Sequence, residues 1–262
     1  MNRIDQLFEQ KQDHILNIYF TAGFPHLEDT ERIITSLAKN GADIIEIGMP
    51  YSDPMADGPT IQESGSRALK NGMTLSVLFE QLSDIRSKTQ VPLLLMGYLN
   101  QMMQYDVDKF IQDCSSVGID GLIIPDMPID VYEVELKSKL EVAGLHAIFL
   151  ITPQTSEARV KKIDELAGGF VYMVSNTSIT GAKTEISQAQ IDYFMRTESL
   201  DLANPRLIGF GISNHKTFEQ ACQYAHGAII GSAFIKHLES NPDQIEQAVG
   251  TFVEGIRSKP KS

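Results

Sequence analysis

The chain has 262 residues, 42% of them hydrophobic, and a formal net charge of −12. Charge of that sign repels phosphodiester backbones and anionic membranes, which argues against nucleic-acid and membrane-surface binding; the hydrophobic content argues against disorder. A small anionic substrate stays open, because backbone N–H groups can build an anion site whatever the net charge.

The polar stretch Met1–His14 lacks the apolar core of a secretory signal. The apolar run Val91–Met96 is far shorter than the ~20 residues of a membrane helix. Cys114 and Cys222 lie outside any CxxC pair and are expected to be reduced, buried thiols. Together these features predict a cytoplasmic protein.

A short helix over Asn2–Gln10 is expected before a first strand at Ile15–Thr21. The stretch Leu27–Asn40 then carries Ile33, Ile34, Leu37 and Ala38 at helical spacing, followed by a strand over Asp43–Gly48. A helix over Leu75–Ser87, with Leu78, Phe79, Leu82 and Ile85, leads to a strand at Pro92–Gly97. The pattern continues with helix Asp106–Val117, strand Gly121–Pro125, helix Val131–Ala143, strand Ala147–Ile151, helix Glu157–Leu166 and strand Phe170–Val174. It ends with strand Arg206–Gly211, helix Asn214–Gln223, strand Gly227–Ile230, helix Pro242–Arg257 and a frayed tail, Ser258–Ser262. The strands are nearly all apolar, as parallel strands covered on both faces must be. Eight strand–helix alternations in this length predict an α/β fold, a (β/α)8 TIM barrel, as one domain spanning residues 1–262 with an extra N-terminal helix. The long intervals Gly48–Pro92 and Val174–Arg206 would be βα loops at the C-terminal face, where barrel enzymes keep their active sites.

Glu46 ends an otherwise apolar strand, and a lone carboxylate there is costly unless paired or functional. Alternation along the strand from Asp43 would point it into the barrel mouth. Burial would raise its pKa and let it carry a proton near neutrality. Asp57, flanked by Gly58 and Pro59 in a loop, is expected to stay wetter and ionised, so that the two carboxylates divide acid and base roles. The competing readings are a structural barrel carboxylate for Glu46 and turn or N-cap duty for Asp53 and Asp57. No HxH or HExxH occurs and the six histidines are scattered, so no metal site is expected.

Two late segments, Gly209-Phe210-Gly211-Ile212-Ser213 and Gly231-Ser232-Ala233-Phe234, fall where barrels bind phosphate, after strands seven and eight. Tight turns at strand ends are the alternative for either alone. A dinucleotide fingerprint is rejected, because the third glycine is missing and the motif comes late. The loop Ser175–Lys183 is polar and small, and reads either as a lid over substrate or as a plain surface loop.

The run Glu46-Ile47-Gly48 followed by Pro50-Tyr51-Ser52-Asp53-Pro54-Met55-Ala56-Asp57-Gly58-Pro59-Thr60-Ile61-Gln62 resembles the signature of the tryptophan synthase α subunit family. Thr21-Ala22-Gly23, Pro125-Asp126-Met127-Pro128, Thr152-Pro153, Tyr172-Met173-Val174-Ser175 and both late glycine segments follow in the family's order. The resemblance implies a lyase of tryptophan biosynthesis that cleaves indole-3-glycerol phosphate to indole and glyceraldehyde 3-phosphate. It implies Glu46 as the acid–base residue and Asp57 as the stabiliser of charge on the indole ring. Tyr19, Met96, Tyr98, Ile123, Tyr172, Thr180 and Phe210 would bind substrate; Gly181, Gly211, Gly231 and Ser232 would bind its phosphate. The α chain would need no cofactor, pyridoxal phosphate belonging to a β subunit with which it forms an α2β2 heterotetramer, and Asp53 and Pro54 would face that partner. Three positions depart from the pattern: Ile18 and Gln101 stand where proline is common, and Ser178-Ile179 where the closing loop usually has Gly-Val. Two further readings are an isomerase or synthase acting on a related phosphorylated intermediate, and a non-catalytic partner barrel. The first lacks a lysine at a strand end, and the second has no use for a carboxylate in a strand.

Overall fold

The apolar runs form nine short parallel strands in a computed structural model that describes residues 1–174, 187–209 and 211–258. They are β1 (Ile15–Thr21), β2 (Ile44–Gly48), β3 (Leu93–Met96), β4 (Gly121–Ile123), β5 (His146–Ile148), β6 (Leu150–Ile151), β7 (Val171–Val174), β8 (Arg206–Gly209) and β9 (Gly227–Ile230). The ladder runs β5-β4-β3-β2-β1-β9-β8-β7-β6. Phe149 alone separates β5 from β6, so the two ends of the ladder belong to one stave. Its first half pairs with β4 and its second half with β7. The shear of a tilted barrel explains this split of the expected strand Ala147–Ile151: each neighbour is offset along the stave. Eight staves therefore make the ring, a (β/α)8 barrel.

Alternate residues serve two cores. Ile15, Ile44, Leu94, Ile123, Ile148, Tyr172, Leu207 and Ile229 fill the interior. Leu16, Ile18, Ile45, Ile47, Leu93, Leu95, Leu122, Ala147, Val171, Met173, Ile208 and Ala228 pack outward under the helices. This double burial removes the polar alternation of a half-exposed strand.

The N-terminal helix, Arg3–Gln10, starts at Asn2, whose side chain caps it by accepting from the Ile4 N–H at 2.9 Å. Its Ile4, Leu7 and Phe8 join the interior cluster, with Phe8 against Phe170, so the helix plugs the mouth at the strands' N-terminal ends. Asp120, just before β4, ties that plug to the barrel. Its carboxylate accepts from Arg3 Nη1 at 3.0 Å, from the Leu93 N–H at 2.8 Å and from Arg86 Nη2, while Asn2 Nδ2 donates to its carbonyl.

Three helices fall where none was expected, Pro59–Lys70, Leu99–Tyr105 and Gln188–Glu198, and a fourth, Ser232–Ser240, starts inside the second late glycine segment. Pro59–Lys70 buries only Ser64, Gly65 and Ala68, so it shows no apolar stripe. The expected helix Leu75–Ser87 breaks after Leu82 and resumes at Ile85–Lys88. The expected helix Val131–Ala143 begins at Ile129 and contains a π turn over Tyr132–Leu136, where the Lys137 N–H reaches back to the Tyr132 carbonyl. Cys114 is buried, Cys222 is only half-buried, and both are free thiols. No helix among the described residues is long and apolar enough to cross a membrane.

Asp120→Ala would leave Arg86 largely buried beside no anion and release the plug. A loss of about 3 kcal/mol is expected, read as a lower urea midpoint. An unchanged midpoint would contradict this anchoring role.

Candidate active site

Glu46 shares the inner face of β2 with Ile44 and Gly48, and none of its surface is exposed. Its Oε2 accepts a 3.0 Å hydrogen bond from Asn17 Nδ2 on β1, whereas Oε1 has no partner among the described residues. A structural carboxylate would need both oxygens satisfied, normally by a cation; here a single neutral amide serves one of them. Burial drives the Glu46 pKa up to about 8; the Asn17 donor opposes this and the nearby charge of Asp57 adds to it. The carboxyl therefore exchanges its proton close to neutrality.

Asp57 belongs to the loop that follows β2. Its Oδ2 accepts from the Tyr98 hydroxyl at 2.9 Å, and the same hydroxyl oxygen accepts the Ala56 N–H at 3.0 Å. Gln62, in the first turn of helix Pro59–Lys70, donates from Nε2 to the Asp57 carbonyl at 2.8 Å. Asp57 is half-buried rather than wet. Burial raises its pKa and the Tyr98 donor lowers it, with a net rise smaller than that of Glu46. The expected contrast between the two carboxylates holds in rank, but the wetter setting expected at Asp57 is corrected: its side chain turns in to Tyr98, although Ser52, Asp53, Met55 and Ala56 of the same loop are exposed.

The loop is held there by contacts with no local signature. The Tyr51 ring stacks on Tyr98 at 5.1 Å, and Asn100 Nδ2 donates to the Tyr51 hydroxyl at 2.9 Å. Gln101 Oε1 accepts the Tyr98 N–H at 2.9 Å, while its Nε2 donates to the Pro50 carbonyl at 3.0 Å.

Tyr19 and Tyr172 are buried on inner faces across the barrel, each feeling the charge of Glu46 and Asp57. Burial holds both phenols well above their usual pKa, so they are neutral hydroxyls at working pH. Their rings use the space of absent side chains. A Cβ on Gly48 would lie 2.1 Å from the Tyr19 hydroxyl, and one on Gly209 would lie 2.4 Å from Tyr172 Cε1. Met96 and Ile123 are in register on β3 and β4, on the inner side of the same end. Asn17, Gly48 and Gly209 were not singled out from the sequence for these contacts. Asn17 carried a signal, an amide inside an apolar strand two residues before Tyr19.

The two glycine segments differ. Gly211 has φ +83 and open space around it, and helix His215–Cys222 beyond it is capped by its own Asn214, which accepts from the Thr217 N–H at 3.0 Å. Gly231 leads directly into helix Ser232–Ser240, whose start has no side-chain cap and whose Ser232 is exposed. Its first N–H groups are oriented for an anion. Thr180, Gly181 and Phe210, expected to line the site, and the departure at Ser178-Ile179 lie outside the described residues. Among the described residues no group of three or more His, Cys, Asp or Glu side chains could hold a metal ion.

A sequence model of the family described as tryptophan synthase alpha chain matches residues 6–260. The chain belongs to the tryptophan synthase alpha chain family. A tryptophan synthase alpha chain from Flavobacterium johnsoniae is 55% identical over 251 residues, covering 95% of this chain and 99% of that one. The barrel is similar to a solved tryptophan synthase subunit alpha from Legionella pneumophila, with a TM-score of 0.87, 30% identity, and 98% and 97% of the two chains covered. It is also similar to a chain in a tryptophan synthase complex from Pyrococcus furiosus, with a TM-score of 0.85, 32% identity, and 94% and 98% covered. Two departures from the tryptophan synthase alpha pattern acquire a structural setting. Ile18 is fully buried in the outward core of β1, and Gln101 bridges Tyr98 to Pro50.

Because the folded protein holds the Glu46 proton up to about pH 8 and an exposed Glu releases it near 4.5, the stability that Glu46 contributes is fully present below about pH 4.5 and is lost as pH rises through about 8. Glu46→Gln cannot ionise. Its urea midpoint should match wild type near pH 5 and exceed it increasingly toward pH 9; a pH-independent difference would contradict the buried, raised carboxyl.

Proposed function

We propose that the chain performs the alpha reaction of tryptophan synthase, the retro-aldol cleavage of indole-3-glycerol phosphate to indole and glyceraldehyde 3-phosphate. The observation that carries this reading is Glu46, a fully buried carboxyl with one unpartnered oxygen and a proton affinity near neutrality.

Glu46, ionised when substrate arrives, accepts the proton of the side-chain hydroxyl next to the ring and delivers it to indole C3. The bond between C3 and the side chain then breaks. Its electron pair returns to the ring, and the hydroxyl carbon becomes the aldehyde. No net proton is consumed. Asp57 accepts a hydrogen bond from the ring N–H and stabilises the positive charge built by C3 protonation; its tie to Tyr98 fixes where that charge can be met. Tyr19, Met96, Tyr98, Ile123 and Tyr172 bound the indole, with Phe210 and Thr180 assigned to the same pocket by family resemblance. Gly231 and Ser232, at an uncapped helix start, hold the phosphate together with Gly211 and Gly181.

The chain acts as one domain over residues 1–262, in the cytoplasm and without a cofactor of its own. It pairs with a β subunit that carries pyridoxal phosphate, in an α2β2 heterotetramer. The resemblance to a chain of the Pyrococcus complex supports this pairing. So does Met55, an apolar side chain 81% exposed beside Asp53 and Pro54 in the loop assigned to the partner.

The test is indole release from indole-3-glycerol phosphate, with and without a β subunit. Glu46→Gln should lose at least about a hundredfold in kcat with the fold retained, and near-normal activity would refute the assignment. Asp57→Asn should lower kcat more than it raises KM, because the charge it meets exists only in the transition state.

A further inference from the structure

Beneath Glu46 the barrel floor contains an amide where packing alone would favour a hydrocarbon. Asn17 is fully buried and lies in register with Ile44 on one side and Ile229 on the other. Its Nδ2 donates to Glu46 Oε2 at 3.0 Å, and its Oδ1 has no partner among the described residues. A buried amide with one end unsatisfied destabilises the floor relative to an apolar side chain of similar volume, so its benefit must lie in the contact it makes.

We propose that Asn17 is the positioning residue of the proton-transferring carboxylate, holding Oε2 toward the floor so that Oε1 is the oxygen that accepts and returns the substrate's proton. This rests on the acid–base reading of Glu46. A carboxylate has no proton to offer an amide oxygen, so only the donor edge of Asn17 can face Oε2 in the ionised state. The two oxygens of an ionised carboxyl are equivalent, so what the bond fixes is the plane of the carboxyl and the edge that it turns to substrate. The bond is also stronger to the charged form and therefore favours ionisation. The titratable groups facing Glu46 are Asp57 from the loop after β2, Tyr19 from β1 and Tyr172 from β7. Asp57 disfavours the Glu46 charge, leaving the Asn17 amide as the hydrogen-bond donor that offsets burial.

The experiment is the pH dependence of kcat/KM for indole release by the full chain, compared among wild type, Asn17→Leu, Asn17→Ala and Glu46→Gln, with circular dichroism to confirm folding. In wild type the acid limb reports Glu46 ionisation. Asn17→Leu should move that limb alkaline by about one pH unit, a loss of roughly tenfold below neutrality that is largely regained at alkaline pH. Asn17→Ala removes the donor without adding bulk or charge, so its limb should also move alkaline; it decides the matter if the leucine variant does not fold. A limb that stays in place in a folded variant, or a loss equal at every pH, would make Asn17 a packing residue and overturn the proposal. Activity retained in Glu46→Gln would instead overturn the acid–base reading itself, so the two failures are distinguishable.

Discussion

The hydrogen bond from Asn17 to Glu46 is the contact on which the chemistry depends, because among the described residues it is the one bond made to a carboxyl wholly shut away from water. An ionised carboxylate in that place with no donor would be too costly to form, and one with several donors or a cation would be too stable to take up a proton. A single neutral donor leaves the group between these limits. The rest of the barrel mouth supports the compromise: Asp57 is near enough to add negative charge yet is held by Tyr98, and both inner tyrosines stay neutral.

Such a balance requires walls that do not yield. The interior is packed by alternate residues of every stave, its lower mouth is plugged by Ile4, Leu7 and Phe8, and the plug is anchored to Asp120. Water is thereby kept from the floor under Glu46. The Asp57 loop is positioned from outside its own segment, through Asn100 and Gln101 on the far side of β3. Position is thus set by the scaffold and proton affinity by the interior, two tasks given to different layers.

Much of this was legible in the sequence for definite reasons. Strands buried on both faces are continuous apolar runs, so all eight staves could be read. A carboxylate inside one of them stood out at Glu46 for the same reason. Helix Pro59–Lys70 was hidden because it packs through Ser64, Gly65 and Ala68, which leave no stripe. The environment of Asp57 was misjudged because Gly58 and Pro59 describe a turn but not what the turn folds against. The donor to its carboxylate, Tyr98, is 41 positions away. The partnership of Asn17 with Glu46 needed the pairing of β1 with β2, which periodicity does not supply.

The tyrosines laid across Gly48 and Gly209 also bear on how this chamber can change over generations. At either glycine even a methyl group would occupy space already taken by a ring, so those two staves are closed to gradual exploration. Met96 and Ile123 already carry side chains of their own, so change there proceeds by single carbons with repacking of their neighbours. Drift in the shape of the accepted ring should therefore be recorded at β3 and β4, while β2 beside them and β8 stay fixed by two missing Cβ atoms.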